Sequence, residues 1–223
     1  MTSTARPRTV EVPEVFGWYQ PLISAALRAE LAGKRLPLFD ALRYHMGWVD
    51  EHGQPSDSGG GKAFRPTLCL LSCEAAGGAP ERALPVAVAL EFVHNFSLIH
   101  DDIQDKDRTR RGRPTVWAVW DIPTAIVAGN AMLKVADLAA SQLAGAGAST
   151  ATALEAGEAL TRGYLRMMEG QYLDISFERQ ADVTVDAYLE MIGKKTAALV
   201  GASVQAGAIL ATDDPDVIEE YRR

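Results

Sequence analysis

Hydrophobic residues recur every three to four positions along most of this chain. The spacing begins near Trp18, in LISAALRAELAGKRLPLFDALRYHM, and returns over residues 64–77, 82–105, 122–144, 150–179 and 184–211. A period near 3.6 residues is typical of helices that bury one face, and no segment has the alternation expected of a strand. Because alanine favours helix and lets helices approach closely, the pattern predicts an all-α bundle around a central cavity.

Other segments lack this periodicity. Residues 1–14 are predicted to form a flexible N-terminal arm, and residues 15–223 a single helical domain. The turn formers in HGQPSDSGGGK, between Met46 and Lys62, predict a mobile surface loop. TDDPDVIEEYRR begins a helix, with Asp213 or Asp214 as N-cap and Pro215 in its first turn. Since the chain stops at Arg223, soon after that start, we expect that C-terminal helices are missing from this sequence.

Composition narrows the classes of function. The chain has 223 residues and a net charge of −7, which argues against binding to nucleic acid or to an anionic membrane. We find no secretory signal and no uninterrupted apolar run long enough for a transmembrane segment, so the predicted location is cytoplasmic. Cys69 and Cys73 lie four residues apart in an apolar segment, without further metal-ligand residues, and are interpreted as buried thiols.

Carboxylates cluster at the end of the apolar segment LEFVHNFSLIHDDIQD. Asp101 and Asp105 are four residues apart and therefore share one face of a helix, and Asp102 adds a third oxygen donor. Magnesium characteristically takes one or two protein carboxylates together with water and phosphate oxygens. The cluster predicts a magnesium site that binds a phosphorylated substrate.

Arginines follow directly in RTRRGRPT, where we expect Gly112 and Pro114 to end the helix. The planar guanidinium suits phosphate, although acids and arginines on a solvated helix end also simply neutralise one another. GKAFRP adds Lys62 and Arg65, and His94 lies two helical turns before Asp101. Together these residues would line one cavity that binds diphosphate.

The ordered set GKAFRP, VHNFSLIHDDIQD, RTRRGRPT, GQYLD and KKT resembles the trans-isoprenyl diphosphate synthases, the polyprenyl synthetase family, over residues 17–211. The resemblance implies an isoprenoid-synthase-type helical bundle, usually homodimeric, that condenses isopentenyl diphosphate with an allylic diphosphate. It implies a catalytic set that comprises Asp101, Asp105, Arg110 and Lys195. Magnesium would be held by Asp101 and Asp105, with Asp102 in support. Arg110, Gln171, Lys195 and Thr196 would surround the allylic diphosphate. Isopentenyl diphosphate would be held by Lys62, Arg65, His94 and Arg111.

Product length in this family depends on side chains below the first Asp-rich motif. Phe96 and Ser97 stand five and four residues before Asp101. The small Ser97, with a DDIQD motif that lacks an insertion, resembles geranylgeranyl diphosphate synthases. We therefore expect a C20 product, with the C15 farnesyl diphosphate as the alternative.

The chain departs from the family pattern at two places. Ala63 stands where the family usually has arginine, and the second Asp-rich motif is missing. Asp213, Asp214 and Asp216 are interpreted as a helix cap and not as that motif, because Pro215 lies among them. Two alternatives to a synthase stay open: a class I terpene cyclase on the same scaffold, and a non-catalytic subunit of a heteromeric prenyl synthase.

Overall fold

The structure, a computed structural model, describes residues 14–56 and 61–222. The helices are α1 (Val15–Leu31), α2 (Pro37–His45), α3 (Phe64–Ala75), α4 (Pro80–Gln104), α5 (Val116–Val119), α6 (Ile122–Ala140), α7 (Thr150–Phe177), α8 (Val185–Ile192), α9 (Ala198–Ala211) and α10 (Pro215–Glu220). A hairpin of β1 (Thr109–Arg110) and β2 (Arg113–Pro114) joins α4 to α5. The predicted all-α class is confirmed. The predicted N-terminal arm lies, apart from Glu14, outside the described residues.

Helix α4 forms the centre of the core. It packs against α3, α6 and α9, while α9 also packs along α7. Leu90, Phe92, Val93 and Ile99 of α4 are almost entirely buried. Each such side chain stabilises the fold by about 1.5–3 kcal/mol relative to an exposed position. The helix that carries the Asp-rich motif is therefore held by the core on several sides.

Small residues allow the helices to approach closely. A side chain on Gly163 of α7 would collide with Ala202 of α9, and one on Gly207 of α9 would collide with Ser72 of α3. Cys69 and Cys73, on the same face of α3, are buried free thiols, as predicted. Burial raises the pKa of Cys69, and it raises that of Cys73 to about 11, so both thiols stay protonated and unreactive at neutral pH.

Side-chain caps define where several helices begin. The carboxylate of Asp121 accepts from Thr124 N at 2.7 Å, and Ser149 Oγ accepts from Thr152 N at 3.1 Å. Asp214 accepts from Asp216 N at 3.0 Å and Pro215 is the first residue of α10, so the predicted cap is confirmed.

The arginine-rich segment is not helical, and the prediction that the helix continues to Gly112 and Pro114 is wrong. Helix α4 ends at Gln104, and Lys106 has a positive φ of 59°. The chain then turns back through Arg111 and Gly112, whose φ values are 53° and 76°. Two consecutive positive φ values are typical of a two-residue type I′ hairpin turn, which holds the strands antiparallel. The hairpin returns the arginines toward α2 and α4.

The segment predicted as a mobile loop is partly ordered. Trp48 O accepts from Ser56 N at 3.0 Å, and Val49 pairs with Pro55 in an isolated antiparallel bridge. Residues 57–60, which contain most of the glycine run, lie outside the described residues.

Two helical stretches, Pro80–Gln104 and Ile122–Leu143, are long and apolar enough to cross a membrane by length and composition. In the first, 67% of the most apolar window is buried inside the protein, which is what a core helix requires. In the second the buried share is 39%, which leaves an apolar face of α6 uncovered.

Candidate active site

A cavity of about 470 Å³ opens between α4 and α7. Its lining combines apolar side chains with charged and polar ones. Apolar lining comes from Phe96, Leu98, Met167, Met168, Tyr172 and Ile175. Polar lining comes from Arg65, His94, Ser97, His100, Asp101, Gln104, Gln171, Lys195 and Thr196. Eight residues predicted from the sequence thus meet at one cavity, although Asp102, Arg110 and Arg111 line a different, smaller gap.

Asp101 lies on the last turn of α4, at the edge of this cavity. Burial raises its pKa from 3.8 to about 6, the nearby Asp105 and Asp102 add to the rise, and Lys195 and Arg110 oppose it. The pKa of Asp105 is also raised, first by partial burial, while Lys195 opposes the rise. Lys195 thus lies close enough to attract both carboxylates. The predicted i, i+4 arrangement places both carboxylates near Lys195, and Asp101 is the one of the two that lines the cavity.

Lys195 reaches the cavity from a π-helical turn, Gly193–Ala197, between α8 and α9. The turn packs so closely on α7 that a side chain at Gly170 would collide with the backbone of Lys195. The ammonium of Lys195 forms an ion pair with Asp174 of α7. Single π-helical turns are frequent at functional sites, and this one aims a lysine at the Asp-rich motif.

Asp174 was missed by sequence reasoning. It lies three residues after Gln171 within GQYLD, and it also acts on Asp105, whose pKa it raises. The signal that could have identified it is helical spacing, because residues three apart share a face. Gln171 Nε2 in turn donates to Gln104 Oε1 of α4 at 2.8 Å, which links the two helices across the cavity.

Asp102 does not face the cavity. Its carboxylate is 1% exposed and Oδ1 accepts from Arg110 Nε at 2.7 Å, on the hairpin side of α4. Burial raises the pKa of Asp102 to about 6, with Arg110 opposing the rise. Trp117 Nε1 donates to Asp102 O at 2.9 Å, which secures the end of α4. The ion pair orients Arg110, and the predicted support of magnesium by Asp102 remains untested.

A second group of cationic side chains lies beside α4. Burial, together with the charges of Arg65 and Arg111, lowers the pKa of His94 to about 3, so the imidazole is neutral at physiological pH. Arg65 lies in the first turn of α3, where burial lowers its pKa. His94, Arg65 and Arg111 are therefore close together, as predicted.

Lys62 is exposed and precedes Ala63, which is buried with a left-handed φ of 47°. At such a position a non-glycine residue costs about 1–2 kcal/mol. Ala63 is the N-cap residue of α3 and makes no side-chain hydrogen bond there. Because alanine stands where the resemblance predicts arginine, this junction has one cation fewer.

The hairpin arginines have different partners. Arg113 stacks over Tyr44, with Cζ 4.1 Å from the ring centroid, and it donates to Val49 O at 2.8 Å. Arg108 lies over Trp117 at 5.1 Å. These two arginines attach the hairpin to the bundle, while Arg110 pairs with Asp102 and Arg111 lies near His94.

The donor set is suited to a phosphate-bridged magnesium ion and not to a closed protein cage. Within residues 14–56 and 61–222, no group of three or more His, Cys, Asp and Glu side chains could hold a metal ion. Asp101 and Asp105 could supply the one or two carboxylates that magnesium takes alongside phosphate and water. The raised pKa of Asp101 shows that its charge is poorly compensated, which a divalent cation would correct.

The bundle, its cavity and its two cationic groups define a helical protein of the isoprenoid-synthase type. Residues 47–223 match the model of the polyprenyl synthetase family. The chain belongs to the polyprenyl synthetase family.

Two named relatives of this chain are prenyl diphosphate synthases. A (2E,6E)-farnesyl diphosphate synthase of Mycobacterium tuberculosis is 44% identical over 200 residues, which are 88% of this chain and 54% of the relative. A geranylgeranyl diphosphate synthase of the same organism is 39% identical over 88% of this chain and 55% of the relative. The chain therefore spans about half the length of these relatives.

Solved structures of prenyl synthetases superpose on this chain. A polyprenyl synthetase from Streptomyces coelicolor superposes with a TM-score of 0.87 at 39% identity, covering 95% of this chain and 61% of that one. A geranylgeranyl pyrophosphate synthetase from Geoglobus acetivorans superposes with a TM-score of 0.82 at 34% identity, covering 94% of this chain and 64% of that one.

Proposed function

We propose that the protein containing this chain is a trans-prenyltransferase that condenses isopentenyl diphosphate with an allylic diphosphate. The observation that carries the proposal is one cavity whose lining includes members of two polar groups. Asp101 and Lys195 belong to the first group, with Asp105 nearby, and Arg65 and the neutral His94 belong to the second, with Arg111 close to both. The names of relatives that match this chain support the same activity. A condensation requires binding sites for two diphosphate groups, whereas ionisation of a single prenyl diphosphate requires one.

The residues fit the chemistry of that reaction. In the proposed reaction the allylic carbon–oxygen bond breaks with both electrons on the departing diphosphate. Lys195, at the cavity, and Arg110, on the hairpin side of α4, would neutralise this charge. The isopentenyl double bond then attacks the allylic cation to form the new carbon–carbon bond, and a proton leaves from the adjacent carbon to the released diphosphate. Phe96, Leu98 and Met167 line the cavity below and keep water from the cation.

Magnesium is the cofactor we propose, with Asp101 and Asp105 as its protein ligands. When bound, it would supply positive charge that stabilises the departing diphosphate. Asp101→Ala is expected to abolish turnover while circular dichroism shows an intact fold. Turnover near that of the unchanged protein would contradict the metal assignment.

For the product we propose geranylgeranyl diphosphate, with farnesyl diphosphate as the alternative. Phe96 is 5% exposed and stands edge-to-face against His100, with ring centroids 5.5 Å apart. Ser97 also lines the cavity and turns its Oγ to His94 O at 2.8 Å, which leaves space below Asp101. Named relatives include synthases of both products, so the cavity wall is the basis of the choice.

We further propose that the protein is a homodimer located in the cytoplasm. We propose no nucleic-acid partner for it and no membrane-spanning role for α4. Ile126, Val127 and Leu138 of α6 are 44%, 52% and 57% exposed. An apolar helix face of this kind, beside a well-buried core, suits contact with a second copy of the chain.

The experiment that tests the function is incubation with magnesium, isopentenyl diphosphate and either dimethylallyl, geranyl or farnesyl diphosphate, followed by analysis of product chain length. A C20 or C15 prenyl diphosphate supports the proposal. Hydrocarbon formed from geranylgeranyl diphosphate alone would instead indicate a terpene cyclase. Turnover that appears only with a co-purified homologue would indicate a non-catalytic subunit.

A further inference from the structure

A carboxylate is buried beside the second cationic group. Glu91 lies on α4, one turn before Asn95, and it is 4% exposed. Asn95 Nδ2 donates to both the backbone oxygen and Oε1 of Glu91, at 2.9 and 3.1 Å. Asn95 Oδ1 faces His45 Nε2 at 3.2 Å, so the ring nitrogen donates and the amide orientation is fixed. Asn95 of α4, itself bonded to His45 of α2, thus holds one carboxylate oxygen in place.

Two guanidinium groups approach this carboxylate from different elements. The charge of Glu91 acts on Arg65, which belongs to α3, and on Arg111, which belongs to the hairpin turn. A methyl group built on Gly61 would lie 3.1 Å from Arg111 Nη2 and 3.3 Å from Glu91 Oε1. The guanidinium and the carboxylate therefore border the same narrow gap, which a side chain at residue 61 would tighten.

Arg65 Nε is buried without a hydrogen-bond partner among the residues that the structure describes. Arg111 is exposed at the tip of the hairpin and has a left-handed φ of 53°, which costs about 1–2 kcal/mol for a residue with a side chain. Two like charges would also repel one another across His94, whose ring is neutral. An anion between them removes that repulsion.

We infer that Glu91 is a positioning residue, which holds Arg65 and Arg111 at the spacing that the isopentenyl diphosphate group needs. This inference rests on the proposed function for the identity of the ligand, but not for the arrangement of the arginines. Burying a carboxylate is costly, and burial raises the pKa of Glu91, while the hydrogen bond from Asn95 and the charges of Arg65 and Arg111 oppose the rise. Strain and unfavourable charge of this kind concentrate at binding sites, where the surrounding structure imposes them.

The substitution Glu91→Gln separates positioning from simple electrostatics, because the two predict opposite signs. Glutamine keeps an oxygen for Asn95 but removes a negative charge from the neighbourhood of an anionic ligand. If only net charge mattered, isopentenyl diphosphate would bind more tightly to the variant. If Glu91 positions the arginines, binding weakens, by about tenfold when ligand groups are displaced by a fraction of an ångström.

Calorimetric titration with isopentenyl diphosphate in the absence of magnesium measures this effect. Titration with dimethylallyl diphosphate in the presence of magnesium is expected to be unchanged, which a general loss of structure would not produce. Glu158→Gln, on the solvent face of α7 where Glu158 pairs with Arg162, is the matched control and should leave both affinities unchanged. Should Glu91→Gln fail to fold, Asn95→Ser keeps the charge, removes the hydrogen bond at Oε1 and should weaken isopentenyl diphosphate binding in the same direction.

A second readout does not depend on the ligand. The Nε–Hε signals of Arg65 and Arg111, assigned by nuclear magnetic resonance with Arg→Lys variants, should broaden or move toward free-arginine positions in Glu91→Gln. Unchanged signals, or tighter or equal binding by the folded variant, would overturn the inference. If the unchanged protein binds no isopentenyl diphosphate but the arginine signals move, the proposed function fails and the positioning role stands.

Discussion

Asp101 carries a charge that the fold holds at a cost, and Asp101→Asn should therefore stabilise the protein. Its pKa is about 6 in the folded chain against an ordinary value of 3.8. A difference of about two pH units corresponds to roughly 3 kcal/mol between the charged and protonated forms. Since Asp101 keeps some contact with solvent, we expect the neutral amide to raise the free energy of unfolding by about 1–3 kcal/mol at pH 7.5.

The sign of the pH dependence follows from the direction of the pKa change. A carboxyl with a raised folded-state pKa binds its proton more tightly when folded, so its favourable contribution is present at low pH and is lost as the pH rises from about 4 to 6. The advantage of Asp101→Asn should thus be largest above pH 7 and should mostly disappear near pH 4.5, where Asp101 is already protonated.

Urea denaturation of both proteins at pH 7.5 and pH 4.5, followed by circular dichroism, measures the two differences. Asp182→Asn, at an exposed position, serves as the control and should change the free energy of unfolding by less than about 0.5 kcal/mol. An Asp101→Asn protein that is no more stable at pH 7.5, or equally more stable at both pH values, would refute the reasoning. The same substitution should abolish turnover, because the charge that destabilises the fold is the one that we propose binds magnesium.

Three further predictions follow from the cavity and its surroundings. Phe96→Ala enlarges the cavity wall and should lengthen the products, as seen by chromatography of the dephosphorylated alcohols; an unchanged product would remove Phe96 as a determinant of length. Gly170→Ala forces a methyl group onto the backbone of Lys195, so it should lower stability by about 1–3 kcal/mol in thermal unfolding and reduce turnover. Turnover at the original level would show that the π-helical turn tolerates displacement. Val127→Glu places a charge on the exposed apolar face of α6 and should yield monomers by light scattering, whereas an unchanged mass would move the dimer contact elsewhere.

The helices and the kinds of ligand could be predicted from the sequence because both depend on the residues within one segment of the chain. A 3.6-residue period reports which face of a segment is buried, wherever the segment lies in the fold. The composition of the 91–115 segment likewise indicated diphosphate and magnesium, since carboxylates and guanidinium groups keep their chemistry in any arrangement. The predicted helix over 82–105 and the cap at Asp214 agree with the structure for that reason.

Other features were decided only by the tertiary structure. Asp101 and Asp102 are neighbours in the chain but about 100° apart around the helix, so packing determines that one faces the cavity and the other binds Arg110. The hairpin at Arg111 and Gly112 needed two positive φ values, which nothing in the arginine-rich composition required.

Contacts between residues of different elements were also decided only by the tertiary structure. Asp174 meets Lys195 through a π-helical turn, and Glu91 meets Arg65 and Arg111 from two other elements. The sequence by itself determined which chemical groups this protein has and which helices carry them. Their pairing was decided by the tertiary structure, because a contact between distant segments depends on how close two helices can pack, and not on the spacing within either one.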